Sequence, residues 1–258
     1  MNYWLDKNQN AEKAAAITQY RETHAADAIE KSCRETICFD GSISILQDTG
    51  VPITKDTVSL AQQDTVSALF SLKQKKGIVL LDFASYKEPG GQFLEGGMGQ
   101  EESLCHHSFL YNVLSRHTPF YSWNLHHLNR GLYEDRALLI PSVRFFRDGE
   151  EREADVIACA APNRSFLHHG RFTEEENEEA LKKRIQFLSH IFCHRGYHPK
   201  VILAGAFGCG AAHQKPETVA ELFASCRIPK QAKLIYAVPD PACYEASRKA
   251  FEKVLGRI

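Results

Sequence analysis

The sequence predicts an α/β layered domain, with helices on both faces of a mixed, mostly parallel sheet and a helical extension at the N-terminus. Three observations predict it. From Thr57 onward, short apolar runs alternate with helical stretches, which is the pattern of strand–helix units. One run, Ile78-Val79-Leu80-Leu81, is apolar throughout and bounded by Gly77 and a polar loop, as expected of a strand buried on both faces. Two glycine-rich loops each follow a predicted strand and precede a predicted helix.

Residues 11–31 are rich in Ala and Glu and lack Gly and Pro, so they read as a helix. Phe39 to Gly50 reads as extended chain ending in a turn at Asp48-Thr49-Gly50. Thr57 to Gln62 alternates as a strand. Asp64 then caps a helix running through Leu72, a role preferred here over ligand binding. Gly77 to Phe83 is the buried strand. Ser103 to Ser115 is a helix with Leu104, Leu110, Val113 and Leu114 near one face. Thr118 to Glu134 is rich in aromatics and His without clear periodicity, and reads as irregular. Ala137 to Phe146 and Asp155 to Ala160 are strands joined by a charged turn, Arg147 to Glu153. Thr173 and the run Glu174-Glu175-Glu176 form a capping box at the start of a helix reaching about Cys193. Lys200 to Ala204 is a strand, Pro216 to Ala224 a helix with proline in its first turn, Lys233 to Val238 a strand and Pro241 to Leu255 a helix. No linker is visible, so residues 1–50 are expected as a helical accessory segment packed on a main domain of 51–258.

Composition narrows the function. The chain has 258 residues, 43% hydrophobic, with formal net charge −1 and no basic block. That argues against disorder and gives non-specific nucleic-acid or membrane-surface binding little electrostatic support. Met1 to Asn10 carries no hydrophobic signal-peptide core, and no apolar run approaches the ~20 residues of a membrane span. Eight cysteines lack paired spacing and fit free thiols in a reducing cytoplasm.

The chemistry concentrates in residues 89–105, Pro-Gly-Gly-Gln-Phe-Leu-Glu-Gly-Gly-Met-Gly-Gln-Glu-Glu-Ser-Leu-Cys. Gly90, Gly91, Gly96, Gly97 and Gly99 give a backbone able to turn tightly and approach a ligand. The loop delivers Glu101 and Glu102 to a helix start, where free N–H groups suit anions. A glycine cradle beside paired carboxylates points to acid/base chemistry on a phosphate-bearing ligand. The second loop, Gly205-Ala206-Phe207-Gly208-Cys209-Gly210 followed by Ala211, sits where α/β sheets bind ligands, with small residues that let N–H groups converge on a diphosphate. His190, His194 and His198 recur every four residues, but Gly196 and Pro199 end the helix and no carboxylate completes a metal site; no metal or cofactor is expected. A Gly-x-Ser-x-Gly elbow and a Gly-Lys-Ser/Thr P-loop are absent, which removes serine-hydrolase and ordinary NTPase chemistry.

The first loop resembles the signature of the poly(ADP-ribose) glycohydrolases, a branch of the macrodomain superfamily. That signature is three glycines, six to eight residues, then Gln-Glu-Glu. Here Gly90-Gly91-Gln92 is followed by seven residues and Gln100-Glu101-Glu102, with Gln92 in place of the third glycine. Asp82-Phe83-Ala84-Ser85 and Ser103-Leu104 resemble the flanks of bacterial-type members, which usually have Asn in place of Asp82. An ionised Asp82 would lose any ribose contact that needs an N–H donor. The resemblance implies a macrodomain-like α/β/α sandwich that hydrolyses ribose–ribose bonds of poly(ADP-ribose). Glu102 would be acid and then base. Glu101 would be the ionised partner on the ribose hydroxyls, and Gln100 would orient loop or ribose. Gly90 and Gly91 would lie against distal ribose and diphosphate, with the second loop on the diphosphate. Many relatives carry an aromatic where this chain has Ala212, and Phe207 could wall the pocket instead. Expected partners are ADP-ribose, its polymer and ADP-ribosylated proteins. The alternatives are a non-catalytic ADP-ribose reader, a hydrolase of mono-ADP-ribosyl or O-acyl-ADP-ribose substrates, and a structural α/β domain.

Overall fold

The structure is a computed structural model that describes residues 3–41, 50–194 and 197–257. The expected N-terminal helix is two helices. α1 (Tyr3–His24) and α2 (Ala26–Glu35) part at Ala25, whose φ of −134° is not helical. The break lets α1 lie along the 93–95 segment while α2 packs on a strand of the sheet. β1 (Ile37–Asp40) follows; residues 42–49, with most of the expected turn at Asp48-Thr49-Gly50, lie outside the described residues.

Next come β2 (Val51–Pro52), β3 (Val58–Ala61), α3 (Thr65–Ser71) and β4 (Ile78–Phe83). Asp64 caps α3 as expected, accepting from the Ser67 N–H at 2.9 Å. The predicted Ser103–Ser115 helix is α4 (Gln100–His106) and α5 (Leu110–Leu114), so Gln-Glu-Glu lies inside the first turn of α4. The stretch expected to be irregular contains α6 (Thr118–His126), with Pro119 in its first turn. It is held by a buried polar contact as well as by Tyr121 in the core, so its apolar residues show no helical periodicity. Asn124, fully buried, donates to the Tyr86 carbonyl at 2.8 Å and accepts from Arg136 at 2.7 Å.

β5 (Arg136–Arg147) and β6 (Glu150–Cys159) run longer than expected because their turn is only Asp148-Gly149, with φ of 50° and 80°. Positive φ at both central residues is the backbone of a tight hairpin that keeps the strand twist. α7 (Glu174–Phe192), β7 (Val201–Gly205), α8 (Pro216–Ala224), β8 (Arg227–Ile228), β9 (Lys233–Ala237) and α9 (Pro241–Leu255) complete the chain. The Thr173–Glu176 capping box on α7 is present.

Seven strands form one sheet in the order β1-β5-β6-β4-β7-β9-β3. β1–β5 and β5–β6 are antiparallel; β6–β4, β4–β7, β7–β9 and β9–β3 are parallel. β1 lies within the 1–50 segment yet is an edge strand of this sheet. β4 shows why a continuous apolar run suits a central strand. Val79 and Leu81 face one core with Leu181 and Ile185 of α7, Phe223 of α8 and Phe251 of α9. Ile78 and Leu80 face a second core with Ala14 of α1, Leu69 of α3, Leu104 of α4 and Val113 of α5. Two helical layers therefore sandwich the sheet, and β4, β7 and β9 end side by side at one edge.

Arg184 of α7 is 1% exposed. It donates to Asp135 Oδ1 at 2.6 Å, to the Ala160 carbonyl and to the Leu132 carbonyl at 3.4 Å. It thus ties α7 to the end of β6 and to the 132–135 segment. Removing the guanidinium leaves Asp135 and two carbonyls without it, at a cost of about 3 kcal/mol by the range for broken buried pairs. Arg184→Met should lower unfolding stability by that order in urea titrations; an unchanged midpoint would contradict the role.

Candidate active site

Gln100, Glu101 and Glu102 enter the first turn of α4 directly from the glycine loop. Gln100 acts as a clamp. Its Oε1 accepts from the Phe83 N–H at 2.9 Å, and its Nε2 donates to the Leu81 carbonyl at 2.9 Å and to Thr65 Oγ1 at 3.2 Å. The end of β4, the start of α4 and α3 are thereby held in one register. Glu101, 4% exposed, accepts from the Ser85 N–H at 2.7 Å through Oε2, while its Oε1 is buried without a partner. Glu102 is half-buried. Its Oε1 accepts from the Gln92 N–H at 2.8 Å, and no described residue bonds its Oε2.

The loop glycines are explained by these carboxylates. A Cβ on Gly91 would sit 2.6 Å from Glu102 Oε1 and 2.9 Å from Glu101 Oε2; one on Gly97 would lie 3.2 Å from Glu102 Oε1; one on Gly99 would collide with Glu102 Oε2. The backbone is a collar around the Glu102 carboxyl. Gly90 and Gly91 have φ of 72° and 59°, a region costly for residues with a side chain. Gln92, at the third-glycine position, has φ −99° and ψ 26°, so its side chain costs no strain. Behind the collar, a Cβ on Gly96 would strike the Lys7 carbonyl of α1. The N-terminal helix is thus pressed against the back of the loop.

A cleft of about 1270 Å³ joins the collar to the ends of β4, β7 and β9. Gly91, Gln92, Gln100, Glu101, Glu102, Ala206, Gly208, Cys209, Gly210 and Ala211 line it; Asp82, Gly90, Gly205 and Phe207 do not. Phe207 is fully buried, edge-on to Phe83 with centroids 5.8 Å apart, so it is a core residue rather than a pocket wall. A Cβ on Gly205 would strike the Ala237 carbonyl, so that glycine serves the β7–β9 approach. Gly90 is buried under the Tyr111 ring, 2.7 Å from where its Cβ would stand. At Gly210 a Cβ would meet nothing within 4 Å.

In the second loop, Phe207, Cys209, His213 and Gln214 spend their N–H groups on loop carbonyls. Those of Gly208, Gly210, Ala211 and Ala212 meet no acceptor among the described residues. Clustered free N–H groups attract anions. They matter because the lining side chains otherwise disfavour a phosphate: Asp64, Glu88, Glu95, Glu101, Glu102 and Asp240 stand against Lys87.

Tyr133 and Phe166 also line the cleft, and sequence reasoning missed both because they come from irregular segments. Tyr133 has φ 60° and stacks on Tyr86 with centroids 4.2 Å apart. Phe166 is two residues from Arg164, whose N–H donates to the Ala212 carbonyl at 2.8 Å. An aromatic from another element therefore stands in the cleft whose own loop has Ala212. Among the described residues, no three His, Cys, Asp or Glu are grouped to hold a metal ion; α7 ends at Phe192, before His194 and His198, and Gly196 lies outside the described residues.

The profile of the family described as microbial-type PARG, catalytic domain, matches residues 8–148, more than half of the chain. The chain belongs to that family. A poly(ADP-ribose) glycohydrolase from Thermomonospora curvata, bound to the inhibitor ADP-HPD, superposes with TM-score 0.79 at 25% identity, covering 95% of this chain and 99% of that one. One from Deinococcus radiodurans, in complex with ADP-ribose, has TM-score 0.70 at 22% identity, covering 88% and 98%. Among curated proteins, no sequence matches.

In this glycohydrolase-family site, two acids differ from their sequence reading. Asp82 is fully buried, and both its oxygens lack partners among the described residues. Burial, and then the charge of Glu102, push its pKa well above the usual carboxylate range. Burial, then Asp82, do the same to Glu101. Burial thus favours the protonated form of both acids, where the sequence reading had Glu101 ionised, and Asp82 lies behind the cleft lining rather than in it. A protonated Asp82 keeps an O–H donor where relatives usually have an amide. The sign of the pH effect follows. Above the ordinary carboxylate pKa of about 4, the folded state holds protons that the unfolded chain has released, so stability falls as pH rises toward the raised values. Asp82→Asn removes one such group. Its stability relative to the natural protein should be greater at about pH 8 than at about pH 5 in paired urea titrations; a difference independent of pH would contradict a proton-retaining Asp82.

Proposed function

We propose that the protein hydrolyses the O-glycosidic ribose–ribose bond of poly(ADP-ribose) and releases ADP-ribose. The observation that carries this reading is Glu102, held by the Gln92 N–H at one oxygen, with the other unbonded among the described residues, in the same cleft as four N–H groups that meet no acceptor among those residues. Family membership supports it, as do neighbours solved with ADP-HPD and with ADP-ribose.

The Gly208–Ala212 backbone would take the diphosphate, and the aromatic Tyr133 and Phe166 the sugar or base faces. Cleavage passes through an oxocarbenium-like state and needs a proton on the leaving oxygen and an activated water. Glu102 Oε2 would donate that proton and later withdraw one from water. Oε1, pinned by the Gln92 N–H, keeps the carboxyl oriented through both steps. Glu101 would act from the cleft floor as a neutral carboxyl holding Ser85 and the loop, and Gln100 as the clamp that fixes the pair on β4. Polymer-bearing ADP-ribosylated proteins are the proposed partners and the cytoplasm the proposed location. No helix among the described residues is long and apolar enough to cross a membrane.

Glu102→Gln keeps the shape and removes the transferable proton. Turnover of labelled polymer should fall by at least ~10²-fold while calorimetric ADP-ribose affinity changes little; full retained hydrolysis would refute the role. Gln92 has an unstrained backbone and is exposed at the cleft rim. Gln92→Gly should therefore leave polymer turnover within about threefold, a change of ~0.7 kcal/mol in the barrier. A large gain would show that Gln92 restricts the substrate.

A further inference from the structure

Cys209 and Cys243 both stand in the wall of the cleft. Cys209 follows β7 in the second glycine loop, and Cys243 lies in the first turn of α9, which follows β9. β7 and β9 are parallel neighbours, with Gly205 opposite Ala237, so the two connections emerge side by side. Both thiols are unbridged, partly exposed and line the cleft. We propose that Cys209 and Cys243 form a reversible disulfide under peroxide, a modification site that weakens ligand binding in this cleft.

The pair has an asymmetry suited to that reaction. Interaction between the two thiols raises the Cys209 pKa, with burial adding to it, and lowers that of Cys243. A helix N-terminus favours a thiolate further. The Cys243 thiolate attacks one peroxide oxygen; the O–O bond breaks, and the departing hydroxide leaves as water after taking up a proton. The Cys209 sulfur then attacks the resulting sulfenic acid; the S–OH bond breaks, and its hydroxide takes the Cys209 proton. Two thiols lose two electrons, and one peroxide becomes two waters.

The shorter S–S bond must move one side of the wall, and the loop side is wedged. A Cβ on Gly208 would already sit 2.5 Å from Ala161 Cβ, and the Gln214 N–H holds the Gly208 carbonyl at 3.0 Å. Gln214 is buried and bonded to Asn177 and to the Pro162 carbonyl. The movement falls on residues 239–243, where Asp240 caps α9 through the Cys243 N–H at 2.7 Å. That segment forms the β9 side of the cleft.

The site stands on the thiols themselves; only the consequence for ADP-ribose rests on the glycohydrolase reading, which binding by the reduced protein tests separately. The full chain is treated with graded hydrogen peroxide, digested and examined by mass spectrometry for a 209–243 cross-link. ADP-ribose affinity is measured before oxidation, after it and after dithiol reduction. The expected result is that cross-link, a loss of affinity of about tenfold, recovery on reduction, and a peroxide-independent affinity in Cys243→Ser. Absence of the 209–243 cross-link, its presence with unchanged affinity, or the same peroxide effect in Cys243→Ser would overturn the proposal.

Discussion

The approach of the 91–99 backbone to the Glu102 carboxyl is the constraint on which the site depends. A Cβ on Gly91 or Gly99 would strike it and one on Gly97 would crowd it, and the Gln92 N–H fixes what the glycines leave room for. The collar holds its shape from two sides. Gln100 anchors the helix start to β4 by three hydrogen bonds. Helix α1 presses on the loop from behind, with Gly96 giving way to the Lys7 carbonyl. The N-terminal helices are thus part of the structure that positions the carboxyl, and β1 joins the same sheet.

Charge is arranged to an unusual degree against the proposed ligand. Carboxyl groups outnumber lysine in the cleft lining, yet the ligand carries a diphosphate. Two features reconcile these facts. Burial keeps Asp82 and Glu101 protonated more readily than ordinary acids, which reduces the negative field. The free N–H groups from Gly208 to Ala212 supply partial positive charge without a side chain.

Much of this was legible in the sequence where local chemistry decides structure. The 78–83 run, the Thr173 capping box, the Asp64 cap and the α8 and α9 spans all follow from short-range signals that the structure keeps. The Gln-Glu-Glu spacing located the carboxyl pair. Helix α6 was not legible because the polar pair Asn124 and Arg136 shares its burial with only a short apolar contact, Tyr121 and Phe120, too brief to show a helical period. The raised pKa values of Glu101 and Asp82 were missed because they depend on burial depth, which a sequence does not carry. The same is true of Phe166: its route into the cleft runs through a backbone bond from Arg164 to Ala212, 48 positions away. Phe207 was misplaced because a loop aromatic reads alike whether it turns to the ligand or, as here, into the core.

The central claim is that the Glu102 cleft cleaves a glycosidic bond and leaves the diphosphate intact. Product identity decides it most directly. Purified protein is incubated with poly(ADP-ribose), and the soluble products are separated and weighed by mass spectrometry. Intact ADP-ribose is the expected accumulating product. Phosphoribosyl-AMP as the main product, or polymer left whole by a protein that binds ADP-ribose, would contradict it.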